Sequence, residues 1–178
     1  MTEPTASPAG ERAPRWERRK ESRPAELLDA ALELFVERGY AATRLDDVAA
    51  RAGVSKGTLY LYYANKEELF RAVVTETIVP LIERFRDDVE RSDAPASELL
   101  QRFFQEWWAQ FGSTRLAGIA KLIIAEAGNF PEVARFFYDA VVRPNMALLA
   151  TIVQRGVDRS EFRDVDVAAA VHVWMAPL

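Results

Sequence analysis

The sequence predicts an all-α protein built as two helical units, and three observations predict it. Apolar residues recur every three to four positions along most of the chain, the spacing of one helical face. No stretch alternates apolar and polar residues as a half-buried strand does. The breaks between periodic stretches are turn-formers: Gly39, Gly53, Ser92 to Pro95, Gly112-Ser113, Gly128 to Pro131 and Arg159-Ser160.

The elements follow in chain order. Pro4, Pro8, Gly10 and Pro14 sit among small and polar residues that cannot bury a core, so residues 1–19 read as a flexible basic arm. Pro24 suits a first helical turn. Leu27, Leu28, Ala31, Leu32, Leu34 and Phe35 then form a stripe that stops at Arg38-Gly39, which places a helix at about 24–38. Thr43 and Asp46 have the spacing of a capping box and open a helix at about 44–51, with Leu45, Val48, Ala49 and Ala52 on its buried face. Gly53 can take positive φ and end that helix, and Ser55 is the expected N-cap of the next. Leu59 and Tyr63 are expected to face the core of that helix, with Tyr60 and Tyr62 turned outward, because three tyrosines in four positions cannot share one face. Asn65 and Glu68 open a long helix over 66–91 that Pro80 should kink. Further helices are expected at about 96–111, 115–127, 131–157 and 165–178, with Pro144 bending or splitting the third of these. The last is still periodic at Leu178, so more helix is expected to follow it.

Composition excludes several functions. At 49% hydrophobic and 28% charged residues, the chain is an ordinary soluble globular protein. Without cysteine it has no disulfide framework and no thiolate metal site. His172 is the one imidazole, expected as a hydrogen-bonded core residue, so His-based nucleophile machinery and metal clusters lack material. There is no Gly-rich phosphate loop, and Asp46-Asp47 and Asp87-Asp88 are adjacent pairs that diverge on a helix. An enzyme is therefore not expected, and neither is a cofactor. No apolar run approaches the ~20 residues of a membrane span, and no signal-like stretch is seen; a cytoplasmic protein without membrane contact is expected. Net charge is −4, divided as +1 over 1–66 and −5 over 67–178, with Arg12, Arg15, Arg18, Arg19, Lys20 and Arg23 concentrating basic charge upstream of the 43–62 motif. That placement suits phosphate contact.

Two short helices joined by a glycine turn make a helix-turn-helix, whose second helix enters the major groove of DNA. The run Ala-Gly-Val-Ser-Lys-Gly-Thr-Leu-Tyr-Leu-Tyr-Tyr-Ala-Asn-Lys-Glu-Glu-Leu-Phe, residues 52–70, resembles the DNA-binding signature of TetR/AcrR-type transcriptional regulators. Ala-Ala-Leu-Glu-Leu-Phe-Val-Glu-Arg-Gly-Tyr-Ala-Ala-Thr, ending at Thr43, is similar to that family's first helix and following loop. The resemblance implies a three-helix DNA-binding domain over 20–80 and a helical effector-binding and dimerisation domain over 81–178. Carried over residue by residue, the DNA contacts are Arg44, Lys56, Gly57, Thr58, Tyr60, Tyr62 and Lys66. Lys56 can reach a phosphate or a guanine edge, Thr58 and Tyr62 offer hydroxyls, and Tyr60 can meet a thymine methyl or the backbone. Leu61 stands where the family often has a more polar or larger residue.

The second unit is rich in aromatic residues. Phe103, Phe104, Trp107, Trp108 and Phe111 surround much of one helix, so some must face a cavity or a partner rather than one core. Phe85, Phe104, Trp107, Trp108, Phe111 and Phe137 are the expected lining of an effector pocket. The resemblance further implies a homodimer through 140–157 and 165–178, with Ala147, Leu148, Thr151, Ile152 and Arg155 on its face. It also implies a palindromic double-stranded operator and a small-molecule effector, lipophilic by the aromatics, that releases a repressor. A helical interaction module with a purely structural helix-turn-helix is the competing reading.

Overall fold

The computed structural model describes the backbone of residues 15–175 and the side chains of residues 23–175. The described chain is helical throughout: α1 (Arg15–Ala42), α2 (Leu45–Arg51), α3 (Lys56–Tyr62), α4 (Lys66–Thr77), α5 (Val79–Arg91), α6 (Ala96–Trp107), α7 (Ala117–Glu126), α8 (Pro131–Phe137), α9 (Arg143–Asp158) and α10 (Val167–Met175). Wide π turns extend α6 over Trp108–Gly112 and join α8 to α9 over Tyr138–Val142. The arm expected over 1–19 lies largely outside the described residues, and the backbone from Arg15 is already helical.

α1 starts before Pro24 and absorbs it, then breaks at Gly39 (φ 83°, ψ 169°), a conformation open essentially to glycine alone. The long helix expected over 66–91 is two helices. Ile78 separates them, and Pro80 occupies the first turn of α5, where its missing N–H costs nothing. Pro144 likewise opens α9, just after the π turn.

Two apolar clusters hold the molecule. The larger joins Leu27, Leu34 and Phe35 of α1, Val48 of α2, Leu59 of α3 and Leu69, Phe70 and Val73 of α4 to Ile119 and Leu122 of α7 and Val133 and Phe137 of α8. Phe35, Tyr40 and Phe70 form an aromatic trio with ring centroids 5.4–5.7 Å apart. The smaller joins Val89, Leu99, Phe103, Leu148, Leu149, Ile152 and Val171 of α5, α6, α9 and α10. The boundary expected at residue 80 is therefore not a boundary of packing, because α7 and α8 belong to the core of the first four helices. By length and composition alone, Pro131–Asp158 is apolar enough to cross a membrane. Its apolar side chains Val133, Phe137, Val141, Leu148, Leu149 and Ile152 are instead buried in these two clusters.

Candidate nucleic-acid interface and effector cleft

The turn before α3 is built as its residues demand. Gly53 takes φ 67°, and Val54 N–H closes onto Ala49 O at 2.9 Å. Ser55 caps α3, its Oγ accepting from Thr58 N–H at 3.1 Å. Leu59 and Tyr63 are 0% and 7% exposed and anchor the helix to the larger core. The opposite face is open. Tyr60 is 51% and Leu61 84% exposed, and Lys56 and Gly57 one turn earlier are exposed with them. A Cβ placed on Gly57 would meet only Ser55 Oγ, at 3.9 Å. Nothing inside the protein requires a glycine there.

Several charged groups of this unit are engaged within the protein. Lys56 Nζ donates to Asp46 Oδ2 of α2 at 2.5 Å. Arg51 spans Glu33 and Glu37 of α1, and Arg115, in the turn before α7, meets Glu33 from the other side. The Arg51 hydrogen bond, then that of Arg115, holds the Glu33 carboxyl below its usual range. Arg44 stands exposed at the N-cap of α2 with its carbonyl accepting from Asp47 and Val48.

The corner between α1 and α2 is clasped from two sides. Glu126 of α7 accepts from Tyr40 N–H at 2.7 Å and Ala41 N–H at 2.9 Å. Lys66 Nζ donates to the carbonyls of the same two residues, at 2.7 and 2.9 Å, and lies 4.6 Å from the Tyr40 ring centre. Burial lowers the Lys66 pKa, and the Glu126 charge opposes that shift. Thr43, 2% exposed, donates its hydroxyl to Leu34 O and Gly39 O, so it fastens the end of α1 rather than capping α2.

Between α5, α6 and α9 lies a cleft of about 230 Å³. Phe85, Phe103, Trp107 and Phe111 supply its aromatic wall, Ile78, Ile82 and Leu148 its apolar floor, and Arg84, Asp88 and Glu106 charged groups around it.

Residues 27–73 match the family described as bacterial regulatory proteins, tetR family, and residues 96–178 match the tetracyclin repressor-like C-terminal domain. The repressor KstR2 of Mycobacterium tuberculosis is 32% identical over 149 residues, covering 82% of this chain and 72% of its own. The chain belongs to the tetR family. The fatty acid metabolism regulator protein of Bacillus subtilis is 26% identical over 154 residues, covering 85% of this chain and 78% of its own. The crystal structure of FadR from Bacillus subtilis in complex with stearoyl-CoA overlays with a TM-score of 0.67 at 24% identity, over 84% of this chain and 79% of that one. As a tetR-family member the protein is a DNA-binding transcriptional regulator and not an enzyme.

Within this tetR-family regulator, the structure gathers some of the sequence-derived site residues and separates others. Lys56, Gly57 and Tyr60 of α3 are exposed, as is Arg44 at the N-cap of α2. Thr58 is half-buried and shares a hydrogen bond with Ser55. Tyr62 is also half-buried, packed against the core beside Tyr63, so the outward pair on α3 is Tyr60 with Leu61. Lys66 is turned onto the α1 corner, away from solvent, because two unsatisfied carbonyls at the end of α1 need donors. In the cleft, Phe85, Trp107 and Phe111 are lining residues. Phe104, Trp108 and Phe137 are not: Phe104 packs on Phe103, Trp108 is 61% exposed, and Phe137 is buried in the larger core. Phe103 was the missed aromatic. Its spacing to Trp107 and Phe111, i, i+4 and i+8, was the available signal. His172 is exposed, one ring nitrogen 2.7 Å from Ala168 O, and is not a core residue.

Proposed function

We propose that this regulator is a homodimeric repressor that grips a palindromic operator with α3 of each protomer and lets go when a lipophilic effector enters the α5–α6–α9 cleft. The observation that carries the reading is the face Lys56, Gly57, Tyr60 and Leu61, which the fold leaves uncovered while burying Leu59 and Tyr63 behind it. A seven-residue helix touches few base pairs. Specificity then requires two modules on half-sites about 34–36 Å, or a multiple of that, apart. Phosphate contacts fall to Arg44, Lys56 and the hydroxyls of Thr58 and Tyr62, with Lys66 joining once it leaves the α1 corner. The basic segment over 1–19 adds to these as an arm. We assign DNA reading to residues 20–80 and effector binding and dimerisation to 81–178, in a cytoplasmic protein.

The dimer surface is the outer side of α9 and α10. Ala147 and Thr151 of α9 are exposed, as are Ala168, Ala169 and Val173 of α10. Small side chains of this kind allow close helix packing across a twofold axis. Leu148, Ile152 and Arg155 leave that surface: the first two are buried within the protomer, and Arg155 donates to Val89 O and Ser92 O at the end of α5.

Aromatic walls favour an apolar effector body, and the charged groups Arg84, Asp88 and Glu106 favour a polar head. The fatty acid metabolism regulator among the relatives, and the stearoyl-CoA held by the similar FadR structure, point to acyl compounds, so stearoyl-CoA is the first probe. An effector that prefers a conformer with wrongly spaced α3 helices must weaken operator binding, and the operator must weaken effector binding equally. Replacing Trp107 by alanine is expected to weaken effector binding about thirtyfold or more, the loss typical of a central aromatic anchor. Operator affinity without effector is expected to stay unchanged, as titrations of operator release will show. Selection of bound DNA from a random pool tests the whole reading: inverted repeats spaced by whole helical turns support it, and an unselective pool contradicts it.

A further inference from the structure

We propose that Leu61 reads DNA sequence by contact with the 5-methyl group of a thymine, one in each half-site; the proposal rests on the DNA-binding reading above. Among the described residues Leu61 is the most exposed large apolar side chain, at 84%. It stands on the face of α3 that the protein leaves uncovered, one turn beyond Gly57.

The rest of α3 narrows what that face can recognise. Lys56 is its one charged residue, and it holds no arginine, asparagine or glutamine. Arginine and lysine read guanine through O6 and N7, while asparagine and glutamine read adenine through N6 and N7. Apart from Lys56, therefore, discrimination along α3 has to come from hydroxyls and apolar contact. Leucine has no hydrogen-bonding group, so neither a phosphate nor a polar base edge rewards it. The apolar feature a base pair shows in the major groove is the thymine methyl.

Geometry favours Leu61 over its neighbour Tyr60 for this contact. Gly57 offers no side chain, and the space where its Cβ would stand is open apart from Ser55 Oγ at 3.9 Å, so α3 can lie close to the base edges. At close range a leucine is long enough to reach a methyl. Tyr60, 51% exposed, carries a hydroxyl better used on the sugar-phosphate backbone.

The test removes one methyl group at a time. The operator recovered by selection is synthesised with deoxyuridine replacing each thymine in turn, which deletes only the 5-methyl. Binding of the full chain is then measured for the wild type, Leu61→Ala and Tyr60→Ala. The wild type is expected to lose about fourfold in affinity per half-site at one symmetry-related pair of positions, the worth of one buried methyl. Leu61→Ala is expected to bind the thymine operator as weakly as the wild type binds the deoxyuridine one, with no further loss at that position. Leu61 is exposed, so the substitution leaves the core untouched. Wild-type indifference at every thymine would overturn the proposal, as would a methyl effect that survives in Leu61→Ala. An effect erased by Tyr60→Ala alone would transfer the contact to Tyr60 and overturn it too. Failure to bind any duplex would instead overturn the DNA-binding reading, and this proposal with it.

Discussion

Gly57→Ala is expected to cripple operator binding while leaving the fold as stable as before. The added methyl meets nothing within the protein closer than Ser55 Oγ at 3.9 Å. Alanine is also the better helix former, by up to about 1 kcal/mol in a helix interior and less near an end. If α3 lies against base edges, the same methyl intrudes into a packed interface. Overpacking costs about 1–3 kcal/mol, which is roughly five- to 150-fold in affinity. Thermal melts paired with binding titrations separate the two effects. An unchanged melt with unchanged affinity would mean that this face of α3 does not approach DNA.

The second large effect falls on stability. Gly39→Ala places a side chain at φ 83°, and its Cβ would sit 2.5 Å from Glu126 Oε1. Backbone strain of this type costs about 1–3 kcal/mol. Displacing Glu126 also deprives the Tyr40 and Ala41 N–H groups of their acceptor, a further charge-assisted loss that solvent around Ala41 softens. We expect a total of about 3 kcal/mol, or a melting temperature lower by roughly 6–12 °C. Glu126→Ala removes the acceptor without straining Gly39, so its loss should be smaller. Equal losses in the two variants would show that the carboxylate, not the backbone, dominates the corner.

Alkaline pH should lower the stability of the fold. Burial pushes the Tyr40 and Tyr63 hydroxyls up to about 12, above the 10 of an exposed tyrosine. The folded state therefore keeps protons that the unfolded chain releases, and stability is full below pH 10 and falls as pH rises towards 12. Denaturant midpoints measured across that range check the sign. A midpoint that rises there would contradict it.

The helix-turn-helix was legible because its signals are local. Gly53, Ser55 and the Asn65–Glu68 box act within one turn of themselves, and each does so in the structure: Asn65 Oδ1 accepts from Glu68 N–H, and Glu68 returns a bond to Ala64 N–H. Thr43 and Lys66 differ from their sequence reading because their polar groups turn back onto α1. Thr43 donates to Leu34 O and, four residues back, to Gly39 O rather than forward into α2. Lys66 reaches the Tyr40 and Ala41 carbonyls, 26 and 25 residues away, which local spacing cannot report. The cleft was half legible for a different reason. Phe103, Trp107 and Phe111 repeat at helical spacing, but the π turn after Trp107 and the docking of α8 on α4 decide where Trp108 and Phe137 point. Both depend on packing across the fold, which one helix's periodicity cannot report.

The most direct test is a photoreactive side chain placed in turn at Leu61 of α3 and at Ile124 of α7, each more than 80% exposed, in the full chain bound to selected operator. Cross-links from position 61 to bases, with none from position 124, are the predicted result. Cross-linking from neither position, or equally from both, would contradict a regulator that meets its operator through the open face of α3.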